Sequence, residues 1–250
     1  MKRLALVMLL VTGLAAPALA GPIGSIGSFN YARQDGYYSG VGGEFTLYNY
    51  GASLSNDDYS SSPETRNVGS FDPSFQTFCL ETGEWADTPS YFVVNSGAVL
   101  GGAGGTGSFD PLSKGSAWLY SQFALGILNI PGGDYFSVPL PSRSTEAGLL
   151  QTAIWALEGE AAAPAPGVNV YYDAALLNGG INDAPAGYLG VYVLNNFDTA
   201  AQRNAFVASG ATAGLRQDFL YFSVPDGGAT LMLLGGALMG LGALRRKLRG

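Results

Sequence analysis

Apolar segments flanked by basic residues close off both ends of this chain, so a globular fold has to be built between them. Lys2 and Arg3 lead into an apolar run over residues 4–14, followed by Ala18-Leu19-Ala20. Small residues three and one positions before the cut place a signal-peptidase site between Ala20 and Gly21, and residues 1–20 read as a signal peptide. At the other end, residues 229–244 are apolar and run directly into Arg245-Arg246-Lys247-Leu248-Arg249. As a helix that stretch spans about 24 Å, slightly short of the roughly 30 Å hydrocarbon core. The basic cluster behind it would hold the extreme C-terminus in the cytoplasm. A transmembrane helix over 229–244 then acts as a stop-transfer segment, and the body, residues 21–223, lies outside the inner membrane.

Composition indicates what the body can become. Charged residues are only 12% of the chain, aromatic residues another 12%, and there are 37 glycines. Strands joined by many tight turns suit that mixture better than a helical bundle, and the aromatic content argues against disorder. Six of the twelve basic residues sit in the two end segments, 1–20 and 229–250, which contain no acid, so residues 21–228 set six basic against nineteen acidic residues, a net −13. A body of that charge does not bind nucleic acid through its phosphates.

The periodicity favours strands at residues 44–50, 75–81, 91–94, 188–194 and 218–222. Residues 101–107 read as a glycine-rich loop and 161–167 as a Pro/Ala linker. Three helices are expected. Ser113 can cap one reaching about residue 128, and Ser144 can cap a second over 145–157. Thr199 and Gln202 can form a capping box for a third, which Gly210 ends. The expected fold class is mainly β, a sandwich or barrel with a small helical insertion.

The tail carries a more specific pattern. Val224-Pro225-Asp226-Gly227-Gly228, the glycine-rich apolar stretch and the arginine cluster together resemble the PEP-CTERM family of sorting signals. The likeness is nearest to the variant that reads Val-Pro-Asp-Ser-Gly, with Gly227 at the serine position. It implies recognition by an exosortase, an intramembrane cysteine transpeptidase that removes the tail. The precursor would sit in the inner membrane of a Gram-negative-type bacterium, and the product at the outer membrane, the cell surface or the extracellular matrix.

Histidine is absent and there is one cysteine, Cys79. That excludes Ser-His-Asp triads, Cys-His dyads, histidine metal ligands, internal disulfides and multi-thiolate zinc sites. No cofactor, metal or enzymatic turnover is expected. A lone cysteine is often just a small buried hydrophobe. Here, however, Phe78-Cys79-Leu80-Glu81 is followed by Leu149-Leu150-Gln151-Thr152-Ala153-Ile154-Trp155 within the second expected helix. Over residues 75–158 this pair of segments resembles the thioester domain of bacterial surface adhesins. The resemblance implies a bond between the Cys79 sulfur and the Gln151 acyl group, shielded by Phe78 and by Trp155 one helical turn beyond Gln151. Amine-bearing surface or matrix molecules would be the partners.

Other groupings carry less. Glu81, Glu84, Glu158 and Glu160 flank the two segments, and paired carboxylates can hydrolyse glycosides, but acids on loops are usually just solvated. Asn56-Asp57-Asp58 is too short to be more than a polar turn. The loop at 101–107 lacks the Lys-Ser/Thr end of a phosphate-binding loop. Two readings remain from the sequence: a covalent adhesin or cross-linker, or a structural, carbohydrate-associated biofilm or matrix protein in which Cys79 and Gln151 only pack.

Overall fold

A computed structural model describes residues 23–40, 42–50, 54, 65–67, 70–100, 109–130, 133–136 and 143–223. The expected signal peptide, the expected turn at 56–58, the expected loop at 101–107 and the tail with its expected transmembrane segment lie outside these residues. Among the described residues no helix is long and apolar enough to cross a membrane.

The order along the chain is β1 (Ile26–Ala32), β2 (Gly43–Tyr48), β3 (Ser74–Phe78), β4 (Ser90–Asn95), β5 (Gly97–Ala98), β6 (Asp110–Pro111), α1 (Lys114–Ala124), β7 (Asn129–Ile130), β8 (Gly133–Asp134), α2 (Arg143–Leu157), α3 (Val170–Leu177), β9 (Val191–Phe197), α4 (Ala200–Ser209) and β10 (Leu215–Phe222). The six longer strands form one sheet in the order β10-β9-β4-β1-β2-β3. All five pairings are antiparallel. Among the described residues the structure is thus mainly β, as expected, with one curled six-stranded sheet, two two-stranded ribbons (β5-β6 and β7-β8) and four α-helices, where a sandwich or barrel with a small helical insertion was expected.

The curl follows from where the aromatic residues fall. Registers Tyr31↔Leu47, Leu47↔Phe75 and Phe219↔Leu194 put alternate residues of every strand on one face. Rings on that face meet across the sheet rather than only along it. Phe219 of β10 lies 5.8 Å from Phe29 of β1 and 5.4 Å from Phe45 of β2, and Phe75 of β3 lies 5.9 Å from Tyr221 of β10. Burying this aromatic face brings the two edge strands together just past the end of β3. Cys79 bridges Phe219 there, the Leu80 N–H donates to the Asp218 carbonyl at 3.0 Å, and the Thr77 hydroxyl donates to the Leu220 carbonyl at 2.5 Å. Closing the edges also removes an exposed strand from solvent.

The opposite face of β2 is covered by α2, and Phe78 of β3 packs edge-on against Phe123 of α1, so β2 is buried almost throughout. Ser113 caps α1 by accepting from the Ser116 N–H, and Thr199 caps α4, which ends at Gly210 with φ +73°. The second helix starts at Arg143, so Ser144 lies in its first turn and is not its cap. Arg143 is held at that end by its own buried contacts, described below. Residues 188–190 form a short 3-10 turn ahead of β9, where a strand was expected. Strand β1 and helix α3, capped by Asn169, were not expected at all.

Candidate functional site

Pairing of β2 with β3 ends at Gly43↔Phe78, one residue short of Cys79. On its β10 side Cys79 is a bridge residue; on the other side its N–H and C=O need partners from elsewhere. Gln151, in the middle of α2 and fully buried, supplies both. Its Oε1 accepts from the Cys79 N–H at 2.9 Å, and its Nε2 donates to the Cys79 carbonyl at 2.8 Å. The carboxamide therefore acts as one more residue of the ladder. Its carbon is held over the Cys79 backbone, and Sγ is three bonds from the N–H that contacts Oε1.

Cys79 is a free, buried thiol. Burial pushes its pKa well above the usual thiol range; Arg33 pulls it down and Glu81 adds to the rise. The sulfur is thus protonated at neutral pH, and unassisted thiolate chemistry is disfavoured.

The cover over this pair is made of backbone. At Gly42 an added Cβ would lie 2.9 Å from Cη2 and Cζ2 of Trp155 and 3.3 Å from Cγ of Gln151. At Gly43 it would lie 2.6 Å from Cε1 of Phe78 and 3.2 Å from Oε1 of Gln151. Phe78 is itself fixed edge-on to Phe123 of α1 at 4.9 Å. The structure therefore gathers Cys79, Gln151, Phe78 and Trp155 in one place. It adds two glycines that sequence reasoning did not single out, although a Gly-Gly pair ahead of a strand is visible as a signal. The indole N–H of Trp155 is buried without an acceptor among the described residues.

Next to Gly43 lies a buried ion pair. Glu44 Oε1 accepts from Arg143 Nε at 2.7 Å and from the Tyr135 hydroxyl at 2.7 Å, while Oε2 accepts from Arg143 Nη2 at 3.0 Å. The guanidinium lies 4.9 Å from the ring centre of Tyr37, 5.5 Å from Tyr135 and 5.2 Å from Phe136. Burial works against the Arg143 charge, but Glu44, together with Tyr135 and Tyr37, raises the pKa of Arg143 on balance, while burial raises that of Glu44 against the pull of Arg143. Residues 44 and 143 are 99 positions apart, and no local pattern could have paired them.

Of the acids flanking the two segments, Glu158 and Glu160 accept hydrogen bonds from neighbouring elements, and Glu81 and Glu84 lie together beside Asp218. Glu158 accepts from the Ser113 hydroxyl at 2.7 Å and its N–H at 3.2 Å, which ties the end of α2 to the start of α1. Glu160 accepts from the Thr82 N–H at 3.0 Å. Carboxylate oxygens of Glu81, Glu84 and Asp218 lie within 4.8 Å of one another, the one set among the described residues close enough to share a cation. Asp218 is already engaged by Asn195 Nδ2 at 2.6 Å and the Asn196 N–H at 3.0 Å. Burial, with Asp218 and Glu160 nearby, lifts Glu84 to about 7.

Residues 223–248 match the VPDSG-CTERM motif. The match supports a PEP-CTERM-like sorting tag, and with it an exported protein that passes through the membrane and is handed to an exosortase. No curated protein matches the chain, and no solved structure does. The likeness of residues 75–158 to thioester domains gains no support from these comparisons.

Proposed function

We propose that the chain is an exosortase-processed surface or matrix protein whose body attaches covalently to amine-bearing partners through a Cys79–Gln151 thioester. The observation that carries this reading is the pair of hydrogen bonds holding the Gln151 carboxamide on the Cys79 backbone. In forming the bond, the Cys79 sulfur attacks the carboxamide carbon. The C–S bond forms, the C–N bond breaks, and the thiol proton leaves on the departing nitrogen as ammonia. No outside base is needed for the balance, which suits a chain without histidine. The Cys79 N–H, already 2.9 Å from Oε1, is placed to stabilise the oxyanion of the tetrahedral intermediate. Holding the two groups together replaces the concentration a bimolecular reaction would need. A partner amine then attacks the same carbon, its C–N bond forms, and the sulfur leaves as the thiol with the amine proton. The bond reacts once per molecule.

Before that step, signal peptidase would cut after Ala20 and exosortase would act at Val224-Pro225-Asp226-Gly227-Gly228. The body would then reside at the outer membrane, the cell surface or in the matrix. A second reading has an observation of its own: the same hydrogen bonds complete the ladder at the end of β3. On that reading the body is a structural matrix protein and the pair only packs. Intact-mass measurement on the full chain separates the two. The thioester reading expects a deficit of one ammonia and uptake of one methylamine, both abolished in Cys79→Ala. Full mass, with Cys79 alkylated in the absence of denaturant, would leave the structural reading standing.

A further inference from the structure

We propose that the buried Glu44–Arg143 pair is a latch that keeps the Gly42–Gly43 segment closed over Gln151 and so sets how fast nucleophiles reach the Cys79–Gln151 centre. The inference rests on the reading of Cys79 and Gln151 as a reactive pair. Two glycines have no side chains with which to hold themselves against Trp155 and Phe78, and Glu44 is the first residue after them that can. Its carboxylate is bound at both oxygens by Arg143, with Tyr135 as a third donor, and it is completely buried. Arg143 is the first residue of α2, the helix that carries Gln151 and Trp155. The pair therefore joins the cover directly to the element it covers. The turn ahead of the glycines is tied to the same place, because the Glu44 N–H donates to the Tyr37 carbonyl at 3.2 Å and the Ser39 N–H to the Gly43 carbonyl at 2.6 Å.

For stability alone such a pair is a poor choice, since well-packed apolar residues often serve as well or better. A bidentate pair does fix one geometry, and a single geometry is what a cover over a hydrolysable bond requires. Arg143 and Glu44 are thus positioning residues that touch neither the sulfur nor the acyl carbon.

The test compares the full chain with Glu44→Gln and with the double variant Glu44→Leu/Arg143→Met, which leaves no charge orphaned. Methylamine and the bulkier tert-butylamine serve as probes. Both variants should take up methylamine about tenfold faster than wild type, equivalent to an opening step easier by ~1.4 kcal/mol. The gain should be larger for tert-butylamine, because a displaced cover relieves bulk. Equal gains for both amines that track global unfolding in urea would overturn the latch, as would wild-type rates in either folded variant. If the wild-type mass shows no lost ammonia, the thioester reading fails on its own. The latch is then read from Cys79 alkylation by iodoacetamide, which should be faster in both variants; unchanged alkylation would sink it.

Discussion

Replacing Cys79 and Gln151 one at a time should reveal whether a bond joins them, because Cys79→Ala costs little if only hydrogen bonds link the two and much if a thioester does. Both contacts of Gln151 go to the backbone of residue 79, not to its side chain. Without a thioester, Cys79→Ala therefore keeps both contacts and loses only a small buried side chain, at a cost of about 1 kcal/mol. Gln151→Ala strips partners from a buried N–H and a buried carbonyl, each worth roughly 1–3 kcal/mol, and opens a cavity besides. That puts Gln151→Ala about 3 kcal/mol or more below Cys79→Ala. A thioester adds to both costs. It closes a loop between residues 72 positions apart. In the chain-entropy treatment used for disulfides, a loop of that length contributes about 4 kcal/mol. Cys79→Ala would then cost about 5 kcal/mol instead of about 1, and Gln151→Ala, which breaks the same loop, would rise by the same ~4 kcal/mol. Urea unfolding of the full chain measures both. Wild type pre-treated with methylamine gives the opened bond without any substitution and should lose the same ~4 kcal/mol. The reasoning is refuted if Cys79→Ala and methylamine treatment each leave stability within about 1 kcal/mol of wild type while Gln151→Ala alone is strongly destabilised.

Two further outcomes follow from the packing and the charges. Gly43→Ala would drive a Cβ against Phe78, which cannot retreat from Phe123, so a loss of about 2–3 kcal/mol is expected in denaturant melts. Gly83→Ala, with open space around it, should stay within about 0.5 kcal/mol of wild type; equal costs would contradict the proposed cover. Glu158 and Glu84 are both lifted to about 7, chiefly by burial, with Asp110 adding at Glu158 and Asp218 and Glu160 at Glu84. A carboxyl raised in the folded state holds its proton there and loses it first on unfolding. Its contribution is complete below the ordinary 4.5 and is lost as pH climbs through 7. Melting temperature should accordingly be higher at pH 5 than at pH 8, by the equivalent of roughly 1–3 kcal/mol. Glu158→Gln, which can still accept from Ser113, should flatten part of that slope, and a melting temperature that rises toward pH 8 would count against the assignment.

Local chemistry was legible where it acts within a few residues. Ser113, Thr199 and Gly210 mark helix ends through side-chain or φ preferences that a short window contains. The strand segments around Phe75, Phe92 and Phe219 were visible as aromatic and β-branched runs. Strand β1 was missed because Gly27 and Ser28 interrupt it and its burial is mostly partial. Helix α3 was missed because its cap, Asn169, comes directly after a Pro/Ala stretch that reads as linker. The start of α2 was misplaced by two residues for a different reason. Ser144 satisfies the local capping rule, but Arg143 is fixed by Glu44, a partner in another element. The Gly42–Gly43 cover has the same origin: a glycine pair is visible, but what it must avoid is known only once Trp155 and Phe78 are in place.

The location of Cys79 ties these points together. It lies where the sheet closes on itself, bridging β10 on one side and held by α2 on the other. At such a seam the backbone cannot move without separating Thr77 from Leu220, Leu80 from Asp218 and Cys79 from Gln151 together. Cys79 is buried there, and a buried, protonated thiol reacts slowly with oxidants and electrophiles arriving from solvent. On the proposed reading, those same conditions would protect an acyl–sulfur bond, formed once the body has folded, until a partner amine reaches it. A reactive group intended for one use needs protection more than it needs a base. The seam supplies protection from the residues that close the fold, so the absence of histidine costs the proposed chemistry nothing.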